Sequence, residues 1–324
     1  TVTTGQDNIL VGYYAGRGIT TTSYNIAIGT LALGGTAGGG AQNVGVGYYA
    51  GSSMTSGAYN TAVGSQALNT NTTGSNNTAV GYQAGYSNTT TGQIAALGVQ
   101  AAYSYTGGSI IAIGHQAAYS TTTGKGNIAI GTYALFSNTT GTNNTAIGND
   151  IPGSDYSALF ANTTGSGNVA IGTAAMRTNT TSGGNVAIGD HALYTTNNGQ
   201  NVAIGYYAAY ANTTGSSNVA LGYNALYSNT TGGANIAIGY DVPGVVSGAT
   251  LYSNTTGTRN IAIGGSAMTS NTTGGYNTAV GLAALYSNTT ASNGVAIGYQ
   301  ALFSNQTSSS NVAVGYQAGY STYS

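Results

Sequence analysis

Cysteine, tryptophan and glutamate are all missing from this 324-residue chain, and proline occurs only twice. Without cysteine there is neither a disulfide framework nor a thiolate metal site, so packing and hydrogen bonds must carry the stability. Charge is almost as scarce: four basic residues and five acidic ones, all aspartate, make up 3% of the chain and leave a net charge of −1. A usual domain is about one quarter charged. Phosphate backbones are held by several Lys or Arg per site, so nucleic acid is not an expected partner. Apolar runs such as Ile110 to Ile113 are far too short to span a bilayer, and membrane insertion is not expected. The low charge comes with 41% hydrophobic residues in a strict pattern, which argues for a folded chain rather than a disordered one.

What the chain does have is repetition. The pattern Asn-x-Ala-(Ile/Val)-Gly, in strict or near form, recurs eighteen times between Gly12 and Gly315. Its closing glycines are 16 to 18 residues apart, except from Gly148 to Gly172 (24) and from Gly239 to Gly264 (25). A short fixed period implies stacked small units, none of which can bury its apolar side without a neighbour. Residues 1–324 therefore read as a single repeat array, with inserted loops near 149–157 and 240–249.

Glycine in every period and regularly placed β-branched residues oppose helix. The alternation in Asn-x-Ala-Ile-Gly puts the branched residues on one strand face and alanine on the other. A second, shorter strand is expected after the glycine, where alanine, then Leu, Met, Ala or Gly, then very often an aromatic recur; Asn-Thr-Thr-Gly closes the coil as a turn. The expected fold is all-β: a parallel β-solenoid, or β-roll, of about 18 rungs of ~17 residues with two short strands per rung. At about 4.8 Å per rung, the array would form a rod of roughly 85 Å. Equal residues then stack into ladders, the aromatic one being Tyr86, Tyr103, Tyr119, Phe136, Phe160, Tyr194, Tyr210, Tyr227, Tyr252, Tyr286, Phe303 and Tyr320. The alanine column is either a smooth outer stripe for lateral contact with a second sheet or the lining of a tight interior corner.

Asn-Val-Ala-Ile-Gly at residues 168–172, 185–189 and 201–205, with alanine three residues further on, resembles the head repeats of trimeric autotransporter adhesins. Together with Tyr-Gln-Ala-Leu and Ser-Asn-Thr-Thr-Gly, it is also similar to repeats of phage-type tail fibres. The likeness spans residues 8–320, although the period here is nearer 17 than the shorter unit of those heads. It implies a left-handed β-roll, commonly trimeric, displayed outside a cell or on a virion and used for attachment.

Candidate sites are few. Asp150, Pro152, Asp155, Asp241 and Pro243 fall in the two insertions, as contact loops, a calcium site or plain surface turns. Asn71, Asn88, Asn138, Asn162, Asn179, Asn212, Asn229, Asn254, Asn271 and Asn288 each begin Asn-Thr-Thr, a formal N-glycosylation acceptor, although a turn role explains them without sugar and is the preferred reading. The histidines are His115 and His191; Asp190 adjoins the latter, but strand neighbours point to opposite faces, so no catalytic pair is expected. With no paired carboxylates, cysteine nucleophile or phosphate-binding loop, no enzyme and no cofactor are expected.

The preferred functional reading is a structural subunit of an extracellular filament or fibre, at a cell or virion surface, with rods stacking end to end through uncapped coils and self as partner, in a filament or trimer. The alternative is an adhesin head or tail-fibre segment that binds glycans or surfaces through tyrosine columns and the inserted loops. Ice binding by threonine arrays is a third option, opposed by threonines that cluster in turns.

Overall fold

A computed structural model describes residues 2–35, 40–149, 157–240 and 248–321. The chain is an all-β parallel solenoid, with no helix among the described residues. Contacts divide it into two compact units, Thr1–Ser166 and Gly167–Ser324. The first holds nine strands, from Ile9–Val11 to Thr145–Ile147, and the second nine, from Val169–Ile171 to Val312–Val314. Most are three residues long. Within each unit every strand pairs in parallel with that of the next coil, like residue over like: Ala79 opposes Ala96 in the first and Ala203 opposes Ala220 in the second.

The glycine that closes each motif is dictated twice over. Gly81 has φ +138°, where side chains are strained, and a Cβ there would run into the carbonyl of Gly98 in the next coil. The same holds for Gly205 against Gly222. Only glycine lets the chain turn out of the strand while the coils stay at bonding distance.

Among the described residues the expected second strand is not there. The segment after the glycine is a run of turns in which the second and fourth residues lie in the left-handed region: Gln66 (φ 60°) and Leu68 (47°), His191 (57°) and Leu193 (48°). Its N–H groups alternate between local and inter-coil acceptors. Ala84 and Asn88 donate back three residues, to Gly81 (3.4 Å) and Gly85 (3.2 Å), whereas Gly85 and Ser87 donate to Ala101 and Tyr103 of the next coil, each at 2.9 Å. A left-handed residue other than glycine costs roughly 1–2 kcal/mol. Leu68, Leu193 and their equivalents are fully buried, and burial of a leucine contributes about 2 kcal/mol, with about 1 more from the inter-coil bond. At each such leucine the strained conformation is thus outweighed.

The interior is narrow, and this decides which strand face is inside. Ala79, Ala112, Ala170, Ala203 and Ala262 have no exposed surface, while the flanking Val80, Ile113, Ile204 and Ile263 are 38–40% exposed. The alanine column is therefore the interior lining and not an outer stripe for lateral contact. The bulky branched residues face out. Opposite the alanines the core is filled in most coils by a Leu or Met, such as Leu135, Met176 and Leu226, in others by a smaller residue such as Ala102, Ala118 or Ala209, and by two columns of asparagine.

Candidate functional site

The first asparagine column opens the strand motif. The Oδ1 of Asn43 accepts the backbone N–H of Asn60 (2.9 Å), and the Nδ2 of Asn60 donates to the Gly74 carbonyl (2.9 Å). The second column contains the Asn-Thr-Thr residues. Asn71, Asn88, Asn138, Asn162, Asn179, Asn212, Asn229, Asn254, Asn271 and Asn288 are all fully buried. The Nδ2 of Asn229 donates to Asn212 Oδ1 (2.8 Å) and to the Gly232 carbonyl (2.9 Å); Asn88 does the same toward Asn71 (3.1 Å) and Thr91 (3.0 Å). Both amide protons are committed inside the coil, so a glycan at that nitrogen would cost an internal bond and has no room. The formal acceptor sites are structural ladders in this fold.

Both columns are interrupted at the same place, where Ile94 and Ile110 replace the first asparagine and Tyr105 and Thr121 the second. The Tyr105 ring fills the interior. Its hydroxyl accepts from the Gly108 N–H (2.6 Å) and donates to the Ser109 carbonyl (3.1 Å). Burial pushes this phenol above its ordinary pKa, and the Gly108 bond pulls the other way.

On the outside, the aromatic residues stack from coil to coil. Tyr86, Tyr103, Tyr119, Phe136 and Phe160 form one stack in the first unit, with centroids 5.1–5.3 Å apart and rings within 10° of parallel. In the second unit Tyr194, Tyr210, Tyr227 and Tyr252 form another (5.1–5.2 Å), and Tyr286, Phe303 and Tyr320 a third (4.9–5.0 Å). Arg177 and Thr269 hold the corresponding positions where the pattern breaks. Ring faces inside a stack cover one another, so its members offer edges and hydroxyls to solvent. Beside the first-unit stack runs an amide ladder, in which Gln83, Gln100 and Gln116 each donate to the preceding glutamine at 2.7–2.9 Å.

The second unit carries a richer cluster. His191 Nδ1 meets Asp190 Oδ1, contrary to the expectation that neighbours would diverge. The reason is local: both residues follow Gly189 in the turn run, and the left-handed conformation of His191 swings its ring back over Asp190. The His191 ring stacks on Tyr194 (5.3 Å) and Tyr207 (4.8 Å). Tyr207 is pushed up to about 12, mainly by burial and then by the neighbouring Tyr206 and the charge of Asp190. His115 lies edge-on to Tyr133 at 5.2 Å. The three arginines are also engaged with rings: Arg17 sits over Tyr14 and Arg259 over Tyr276, each at 5.2 Å, and Arg177 over Tyr194 at 5.9 Å.

Among the described residues no group of three or more His, Asp or Glu side chains could hold a metal ion, and no helix is long and apolar enough to cross a membrane. Asp150, Pro152, Asp155, Asp241 and Pro243 lie outside the described residues. The sequence reading missed Tyr206, Tyr207, Tyr223 and Asn224, which line an open slot of about 310 Å³. Their signal was the Tyr-Tyr and Tyr-Asn pairs directly after Gly205 and Gly222. No protein-family model matches the chain, and no curated protein matches it.

Proposed function

We propose that the chain is a structural subunit of an extracellular fibre, in which copies associate through the outward strand face. One observation carries this: in the second unit every outward strand position except Thr278 is Val, Ile or Leu, from Val169 and Ile171 to Val312 and Val314. In the first unit only Thr61, Thr78, Ala95 and Thr145 interrupt the pattern. No charged residue lies on either face.

With each such residue showing about a third of its surface, the face amounts to roughly 1,000 Å² per unit, above the few hundred Å² a monomer usually leaves bare. A standard interface takes about 800 Å² from each partner, so the area suffices for a stable contact between copies. A flat, periodic, uncharged surface is complementary to another of the same kind. Head-to-tail growth would use the main-chain bonding that already joins coils within each unit. The extracellular setting is supported by the scarcity of charge and by the abundance of Asn, Thr, Ser, Gly and Tyr.

Native mass spectrometry over a concentration series, with electron microscopy of the same samples, tests the reading. Discrete multimers that grow into fibres are expected; a monomer at every concentration would refute it.

A further inference from the structure

The aromatic stacks and the slot beside them differ in what they present. Tyr227 is covered on both faces, by Tyr210 at 5.2 Å and Tyr252 at 5.1 Å, and Tyr206 and Tyr223 stack on each other at 5.2 Å. These rings turn edges and hydroxyls to the slot. Tyr207 does not. It stacks on His191 with one face, at 16° between planes, and stands at 73° to Tyr206 and 57° to Tyr210. In the next coil the equivalent position holds the short Asn224, too small to cover the opposite face. The column of rings stops there and leaves an aromatic face over an amide, flanked by the Tyr227 ring of the next coil at 5.9 Å and tilted 49° to it. The Asn224 side chain makes no hydrogen bond among the described residues; its N–H alone is used, donating to Tyr206 at 2.9 Å.

From this geometry we infer that the slot bounded by Tyr206, Tyr207, Tyr210, Tyr223, Asn224 and Tyr227 binds one uncharged hexopyranose unit, such as the exposed end of a neutral glycan. The size fits one ring, at about 310 Å³. The C–H face of a pyranose carries partial positive charge and meets the negative face of the Tyr207 ring. Its hydroxyls find the free Asn224 amide and the phenol groups along both walls, whose polar atoms make up most of the slot's exposed lining and suit a ligand rich in hydroxyls. Anionic sugars are disfavoured, because no cation lines the slot and Asp190 acts on Tyr207. A cationic ligand is disfavoured too, since only one ring face looks in and the walls are ring edges, whose quadrupole is positive. This binding is independent of how copies assemble.

The test is saturation-transfer NMR on the full chain with methyl β-glucopyranoside, methyl β-galactopyranoside and N-acetylglucosamine as probes. A single sugar on one platform is expected to bind at about millimolar Kd. Asn224→Tyr extends the ring column into the slot and is expected to abolish transfer, with circular dichroism unchanged. Tyr207→Ala should weaken binding about tenfold or more, while Tyr207→Phe, which keeps the face, stays within about threefold. The inference is overturned by no transfer from any of the three sugars at roughly 20 mM, by transfer that survives Asn224→Tyr, or by tetramethylammonium binding more tightly than every sugar.

Discussion

Ala203 and Ile204 are neighbours in one strand, yet the alanine is fully buried and the isoleucine is 40% exposed. In a globular sheet the larger residue would be expected inside. Here the interior of a coil of about seventeen residues is so narrow that it holds at most one Leu or Met, reduced to Ala209 in this coil, beside its buried asparagines, and the strand offers it only alanine. The contrast teaches that in a narrow solenoid small residues mark the core, and a column of large ones marks the outward strand face.

The contrast can be broken most severely at its hinge. Gly205→Ala places a side chain at φ +137° against the carbonyl of Gly222, and a loss of about 4 kcal/mol or more is expected in chemical denaturation. Ala203→Leu overpacks the inner face and should cost about 3 kcal/mol by the same measurement. Asn229→Ala strips Asn212 Oδ1 of its donor and takes from the Asn254 amide the oxygen it donates to, both inside the core, while the Gly232 carbonyl keeps Asn218, for a loss of about 2 kcal/mol. A tyrosine on the outer surface acts more gently and only in alkali. Because Tyr207 is raised to about 12, its neutral form supports the fold in full below the ordinary phenol value near 10, and that support is lost as pH rises toward 12. Melting temperature should fall across that window in the parent chain and fall less in Tyr207→Phe.

Much of the fold could be read in the repeat. Gly81 and its equivalents announce the period, the strand and the need for a residue without Cβ, and the aromatic position five residues on foretold stacking that Tyr86, Tyr103 and Tyr119 display. The turn run was misread as strand because Leu68 and Leu193 sit in left-handed conformations that carry no glycine or asparagine signal; inter-coil bonding and burial override their local preference. The same misreading separated His191 from Asp190. The burial of Asn229 was not legible because a tripeptide pattern says nothing about which side of a coil it faces. The slot at Tyr207 was invisible for a different reason: it is made by a residue that stops a column, and a reading built on repeats attends to what continues.

The most direct test of the inside-out strand is sedimentation velocity of the parent chain beside an Ile188→Lys/Ile204→Lys variant. The account predicts a multimeric parent and a folded monomer for the variant, whose own stability shifts by only about 0.5 kcal/mol per outward substitution. A variant that unfolds, which would place these isoleucines in the core, or one that sediments as the same multimer as the parent, would contradict it.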